Sequence, residues 1–188
     1  MSDFHVYEAR PSPRWLKVAL GATAVCFLAA GMFMLPTADR RQHEGRQDRA
    51  HANAIESAVN NFHVDYDFLP EAGSHLRTDG PDGVRFLNIL LGMEEGTPKQ
   101  NLRGIKFLSV REAKGRRNGL TYSASGNRVE GLYDVWGNPF IVELGVKNEE
   151  KLRFKLGNKL IELPGRLVAV YSSGKDGKPG TPDDVKPW

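Results

Sequence analysis

Ser173-Gly174-Lys175-Asp176-Gly177-Lys178-Pro179-Gly180-Thr181-Pro182-Asp183-Asp184-Val185-Lys186-Pro187-Trp188 is the stretch around which this chain is organised. It follows directly on the apolar, β-branched run Leu167–Tyr171, which reads as a strand. Its three glycines and three prolines set a looping path, and Asp176, Asp183 and Asp184 supply hard oxygen ligands. Asp176 precedes the acidic pair by seven and eight residues, and the glycines between them let the backbone turn its carbonyls inward. Calcium takes about six to eight oxygens, a shell that carboxylates, carbonyls and water supply together. The Asp/Asn ladder and closing Glu of an EF-hand are missing. Composition alone leaves two readings open, a cation-folded loop and a solvated acidic turn.

Working back from the loop, Asp134-Val135-Trp136-Gly137-Asn138-Pro139-Phe140 reads as a turn with a buried indole that launches a strand. Short strand candidates are Ile105–Val110, Leu120–Ser123, Pro139–Leu144, Leu152–Leu156 and Leu167–Ser172. Gly, Asn and charged clusters separate them, which favours antiparallel meanders over crossovers. Asp82 is positioned to cap a short helix over Gly83–Leu91. Further upstream, Ile55, Ala58, Val59, Phe62, Tyr66 and Leu69 recur at three- and four-residue spacing, the mark of a helix with one buried face. Leu69-Pro70 ends it, because a residue before proline is pushed out of the helical region.

Residues 15–35 are a largely apolar run with a single charge, Lys17, long enough for a helix to cross a hydrocarbon core about 30 Å thick. Trp15 sits at its edge, where indoles favour the interface. A cleaved signal peptide is the rival reading, and Pro36-Thr37-Ala38 fits a cleavage site poorly. The resulting division is a polar tail over 1–14, a transmembrane helix over 15–35, an extracytoplasmic helix over 36–69 and a globular head over 70–188. Pro36 would bend the two helical parts into one long element. Arg10, Arg14 and Lys17 on one side of the run nearly balance Arg40, Arg41, Arg46 and Arg49 on the other, so charge leaves the orientation open. The fold class expected is α+β, with one long N-terminal helix laid on a small antiparallel sheet.

The net charge is only +3, with basic residues scattered, which argues against nucleic acid as a partner. The single cysteine, Cys26, excludes an internal disulfide. Five histidines show no metalloprotease spacing, and His63-Val64-Asp65 reads as a solvated helix face before a metal site. Arg111, Lys114, Arg116 and Arg117 read as a loop tip, with an anion site as the sharper alternative. No nucleophile elbow, phosphate loop or dinucleotide fingerprint is present, so neither an enzyme nor a small-molecule substrate is expected.

Taken in order, four motifs resemble the major pseudopilin of type II secretion systems, specifically its C-terminal domain. Ala54–Phe62 leading to Phe68-Leu69-Pro70 is similar to the family's helix end. Asp134–Phe140 is similar to its D-P-W-G-N-P-Y turn, with Val135 in place of proline. Val170-Tyr171-Ser172-Ser173-Gly174-Lys175-Asp176-Gly177 resembles its Y-S-x-G-x-D-G strand and loop, and Gly180-Thr181-Pro182-Asp183-Asp184-Val185 its G-T-x-D-D-I ending. The resemblance implies a pilin-like fold with a calcium loop. In it Asp176 and one or both of Asp183 and Asp184 give side-chain oxygens, and Ser173 gives a carbonyl. It implies a single-pass protein of the inner (plasma) membrane, with the head outside the cytoplasm and other pseudopilins or secretion-system components as partners. The departure is at the N-terminus, where Phe4-His5-Val6-Tyr7-Glu8 follows no glycine and the usual prepilin peptidase site is missing. A non-polymerising anchored accessory protein with the same head is therefore the alternative reading.

Overall fold

The apolar spacing from Ile55 onward forms the second half of a 30-residue helix, α1 (Thr37–Tyr66), in a computed structural model that describes residues 37–113, 115–146 and 150–188. Ala52, Ile55, Ala58, Val59 and Phe62 are fully buried along one face, as the spacing requires. Phe62 anchors the lower end of the helix, with ring centroids 4.7 Å from Tyr66, 5.4 Å from Phe68 and 5.5 Å from Phe107. The helix stops at Tyr66. Asp67 takes a left-handed φ of 61° while its amide still donates to the His63 carbonyl at 2.8 Å, and Pro70 bars any continuation.

Among the described residues seven strands form three small antiparallel sheets. The central one has the order β1 (His75–Arg77), β4 (Phe140–Leu144), β7 (Val168–Ser172). Two local hairpins complete the set, β2 (Gly119–Tyr122) with β3 (Val129–Tyr133) and β5 (Lys151–Leu156) with β6 (Lys159–Pro164). Both faces of the central sheet are covered. Phe140, Val142, Leu144, Val168 and Val170 join the main core with α1, while Ile141, Ala169 and Tyr171 join a second core with Leu152, Phe154 and Leu156 of β5. That two-sided burial explains why β4 and β7 read as continuous apolar runs, whereas β5 alternates residue by residue.

A second helix, α2 (Pro81–Leu91), starts with proline at its first turn after Gly80 and ends at Gly92, which has a φ of 69°. Asp82 lies in the first turn and makes no capping bond, so the cap expected of it is replaced by backbone geometry. Gly83 lets α2 press on β1, since a Cβ there would lie 1.9 Å from the Arg77 carbonyl oxygen.

The outer edge of β7 is closed from two directions. Ser172 and Val185 exchange both backbone bonds, at 3.1 and 3.0 Å. The Val170 amide, pointing the same way, donates to Glu56 Oε1 of α1 at 3.1 Å, and Arg166 holds the other Glu56 oxygen at 3.0 Å. Burial raises the Glu56 carboxyl above its ordinary range, against the pull of these donors.

The expected pilin-like architecture, a long helix first transmembrane and then amphipathic on one small sheet, is corrected by this arrangement. Among the described residues there are two helices and three separate sheets, and no helix is long and apolar enough to cross a membrane. The first half of α1 carries the charged segment Asp39–Arg49. The run over 15–35 and the bend at Pro36 lie outside the described residues. One sheet becomes three because β2–β3 and β5–β6 pair only with their sequence neighbours. Ile105–Val110 forms no strand, since the Phe107 and Leu108 amides both donate to the Leu90 carbonyl at the end of α2.

Candidate metal-binding loop

The loop after β7 leaves the sheet at Ser173, which is buried, and returns at Val185. Between them the chain folds on itself through its own carboxylates. The Asp176 amide donates to Asp183 Oδ2 at 3.1 Å, and the Lys178 amide to Asp176 Oδ1 at 2.8 Å. Gly174, with a φ of 63°, makes this closure possible, because a Cβ there would meet the Asp183 carbonyl oxygen at 2.3 Å and its Oδ2 at 2.6 Å.

Thr181 stands at the centre. Its hydroxyl lies 3.3 Å from Asp176 Oδ1, 3.2 Å from the Lys178 carbonyl, and against Asp183 Oδ1. A hydroxyl has one proton, so it satisfies only one of these three acceptors. Of the others, Asp176 Oδ1 is also served by the Lys178 amide at 2.8 Å. Asp176 Oδ1 and the Lys178 carbonyl thus gather within 3.3 Å of one hydroxyl oxygen, a grouping of hard oxygens of the kind calcium takes. The Thr181 hydroxyl bond and the Asp176 amide hold the Asp183 carboxyl below its ordinary range, so it stays ionised.

Asp184 is held differently. Its side chain is 0% exposed, Oδ2 accepts from the Gly180 amide at 2.9 Å with Lys186 Nζ at 3.6 Å, and Oδ1 is buried with no partner. Burial raises this carboxyl. Among the described residues no three His, Cys, Asp or Glu side chains gather as a metal site. The residues brought together are two carboxylates, a hydroxyl and a carbonyl, with the orphaned Asp184 oxygen nearby in sequence. That donor set is all hard oxygen and suits calcium, with carbonyls filling the shell that side chains leave incomplete. Thr181 was not singled out from the sequence, although its place between Asp176 and the acidic pair was the available signal.

The turn Asp134–Phe140 underpins the loop. Asp134, fully buried, accepts from the Trp136 amide at 2.9 Å and the Asn138 amide at 2.7 Å through Oδ1, and from Ser172 Oγ at 2.6 Å through Oδ2. Asn138 Nδ2 donates to the Gly174 carbonyl at 2.7 Å. Two motifs that the sequence separates are thus one structure. Burial raises the Asp134 carboxyl while its three donors oppose the shift. The indole of Trp136 is only half-buried, so this turn is held by Asp134 and not by the ring.

The other sequence candidates are placed as structural parts. Asp65 pairs with Arg103 at 3.0 Å, Arg111 Nε donates to the Asn118 carbonyl at 2.8 Å, and Arg116 lies over the Tyr133 ring at 4.8 Å. Compared with protein families, curated proteins and solved structures, the chain gives no match.

Proposed function

We propose that this is a membrane-anchored, pseudopilin-like structural protein of a type II secretion or type IV pilus-like assembly, its head stabilised by calcium in the loop after β7. Residues 15–35 would hold the chain in the inner membrane, with the head outside the cytoplasm. Other pseudopilins or secretion-system components would be its partners. The observation that carries the reading is the oxygen cluster on Thr181, joined through Asn138 and Ser172 to the Asp134 turn. Calcium would be bound by Asp176 and Asp183 with backbone oxygens, and by Asp184 and Ser173 as the resemblance implies. Its contribution is charge neutralisation that pins the loop to the sheet.

Thermal unfolding of the full chain in detergent, with calcium and with chelator, tests the metal reading. A site filled to about 100 times its dissociation constant adds about 2.7 kcal/mol, and Asp176→Ala removes the difference. Identical melting curves with and without calcium overturn it. Chemical cross-linking in membranes tests the assembly reading. A ladder of multiples is expected of a polymerising subunit, and monomer alone favours the accessory alternative.

A further inference from the structure

Asp48 is an acidic residue on the buried face of α1, 0% exposed, four residues before Ala52 and seven before Ile55 on the same stripe. Its Oδ1 accepts the Val135 amide at 2.9 Å, and its Oδ2 is buried with no hydrogen-bond partner. Among the described residues the charged groups that face it are Glu44 from its own helix and Asp134 from the turn, and both oppose a second negative charge. His51, one turn on, has a buried, unpartnered Nδ1, and burial together with Arg111 lowers its pKa, so it brings no cation. From the neighbouring loop, Arg111 is engaged by the Asn118 carbonyl, Arg116 by Tyr133, and Arg117 lies along Gly137. No salt bridge reaches Asp48 among the described residues. An ionised carboxylate held there by one hydrogen bond is strongly disfavoured, and a proton is the partner that relieves it.

We propose that the contact between α1 and the turn 134–138 is a proton-dependent latch, closed while Asp48 is the neutral acid and loosened when it ionises. The same turn holds Ser172 through Asp134 and Gly174 through Asn138, so the loosening reaches the foot of the loop after β7. Burial and the acidic neighbours place the Asp48 midpoint at about 7. The unfolded chain loses this proton near 3.8, so the stabilisation is complete below that value and is lost as pH rises through 7.

The test is a carboxyl-carbon NMR titration of Asp48 in the full chain in detergent micelles, with hydrogen-exchange protection of the Val135 amide followed in parallel. A midpoint near 7 is expected, with protection falling about tenfold between pH 6 and pH 8, the ratio that linkage gives for that midpoint. In Asp48→Asn the protection should be flat over the same interval. A wild-type carboxyl titrating near 3.8 overturns the latch, as does an unchanged pH response in the variant.

Discussion

Replacing Asp134 separates a carboxylate that organises the turn from one that merely occupies it. Its two oxygens take three hydrogen bonds, two from backbone amides of its own turn and one from Ser172 Oγ on β7. Asp134→Ala leaves all three donors buried. At roughly 1.5–3 kcal/mol for each bond to a charged group the gross loss is about 4.5–9 kcal/mol. Removing a buried charge returns several kcal/mol of desolvation, leaving a net destabilisation of about 3 kcal/mol. Asp134→Asn keeps one carbonyl oxygen for the Trp136 and Asn138 amides. It turns its amide group toward Ser172 Oγ, which already accepts the Gly174 amide at 3.0 Å but has a second lone pair. That variant should lose only about 1 kcal/mol. Urea unfolding of the full chain in detergent reads the difference as a midpoint shift at constant slope. In thermal unfolding the Ala variant should melt about 6–12 °C lower, at about 2–4 °C for each kcal/mol. If the two variants lie within about 0.5 kcal/mol of each other, the carboxylate is not the organiser of the turn.

Three further outcomes are expected. Gly174→Ala should break the loop closure, because its φ of 63° and the Asp183 carbonyl at 2.3 Å leave no room for a methyl group; any calcium-dependent rise in melting temperature should vanish with it, and a variant that keeps the full rise contradicts the geometry. Phe62→Ala should cost about 3–5 kcal/mol in urea unfolding, since the ring is fully buried among three aromatic neighbours, and a loss below about 1 kcal/mol means the lower core collapses around the gap. Glu56→Gln should flatten the pH dependence of stability. Burial raises the Glu56 carboxyl above 4.5, so the folded chain keeps a proton that the unfolded chain has lost, and stability falls as pH rises through that window. Glutamine still accepts the Val170 amide but cannot titrate, and equal slopes in the two proteins would contradict the assignment.

The parts of the fold legible in sequence were those with a local period or a local break. Ile55, Ala58, Val59 and Phe62 announced the buried face of α1, and Leu69-Pro70 came within a few residues of its end. The β3 strand was missed because Gly131 interrupts its apolar pattern, and β6 because its residues are mostly exposed. Ile105–Val110 had a strand's composition but no partner, its amides being taken by α2. In the loop, Asp176 and Asp183 were legible as a cluster, while the bond from Asn138 to Gly174 spans a separation that no periodicity encodes. Asp48 was hidden among the charged residues before it, although its phase with Ala52 and Ile55 marked it as inward-facing.

The closure of the β7 edge has a consequence for how copies of this protein can meet. A free strand edge recruits further strands, the route by which many β proteins join or aggregate. Here Val185 occupies the backbone groups of Ser172, and the Glu56 carboxylate occupies the amide of Val170, in place of an incoming strand. Growth of the central sheet by strand exchange is therefore blocked at both positions. Contact between copies is left to side-chain surfaces, whose strength can be tuned residue by residue without disturbing the sheet.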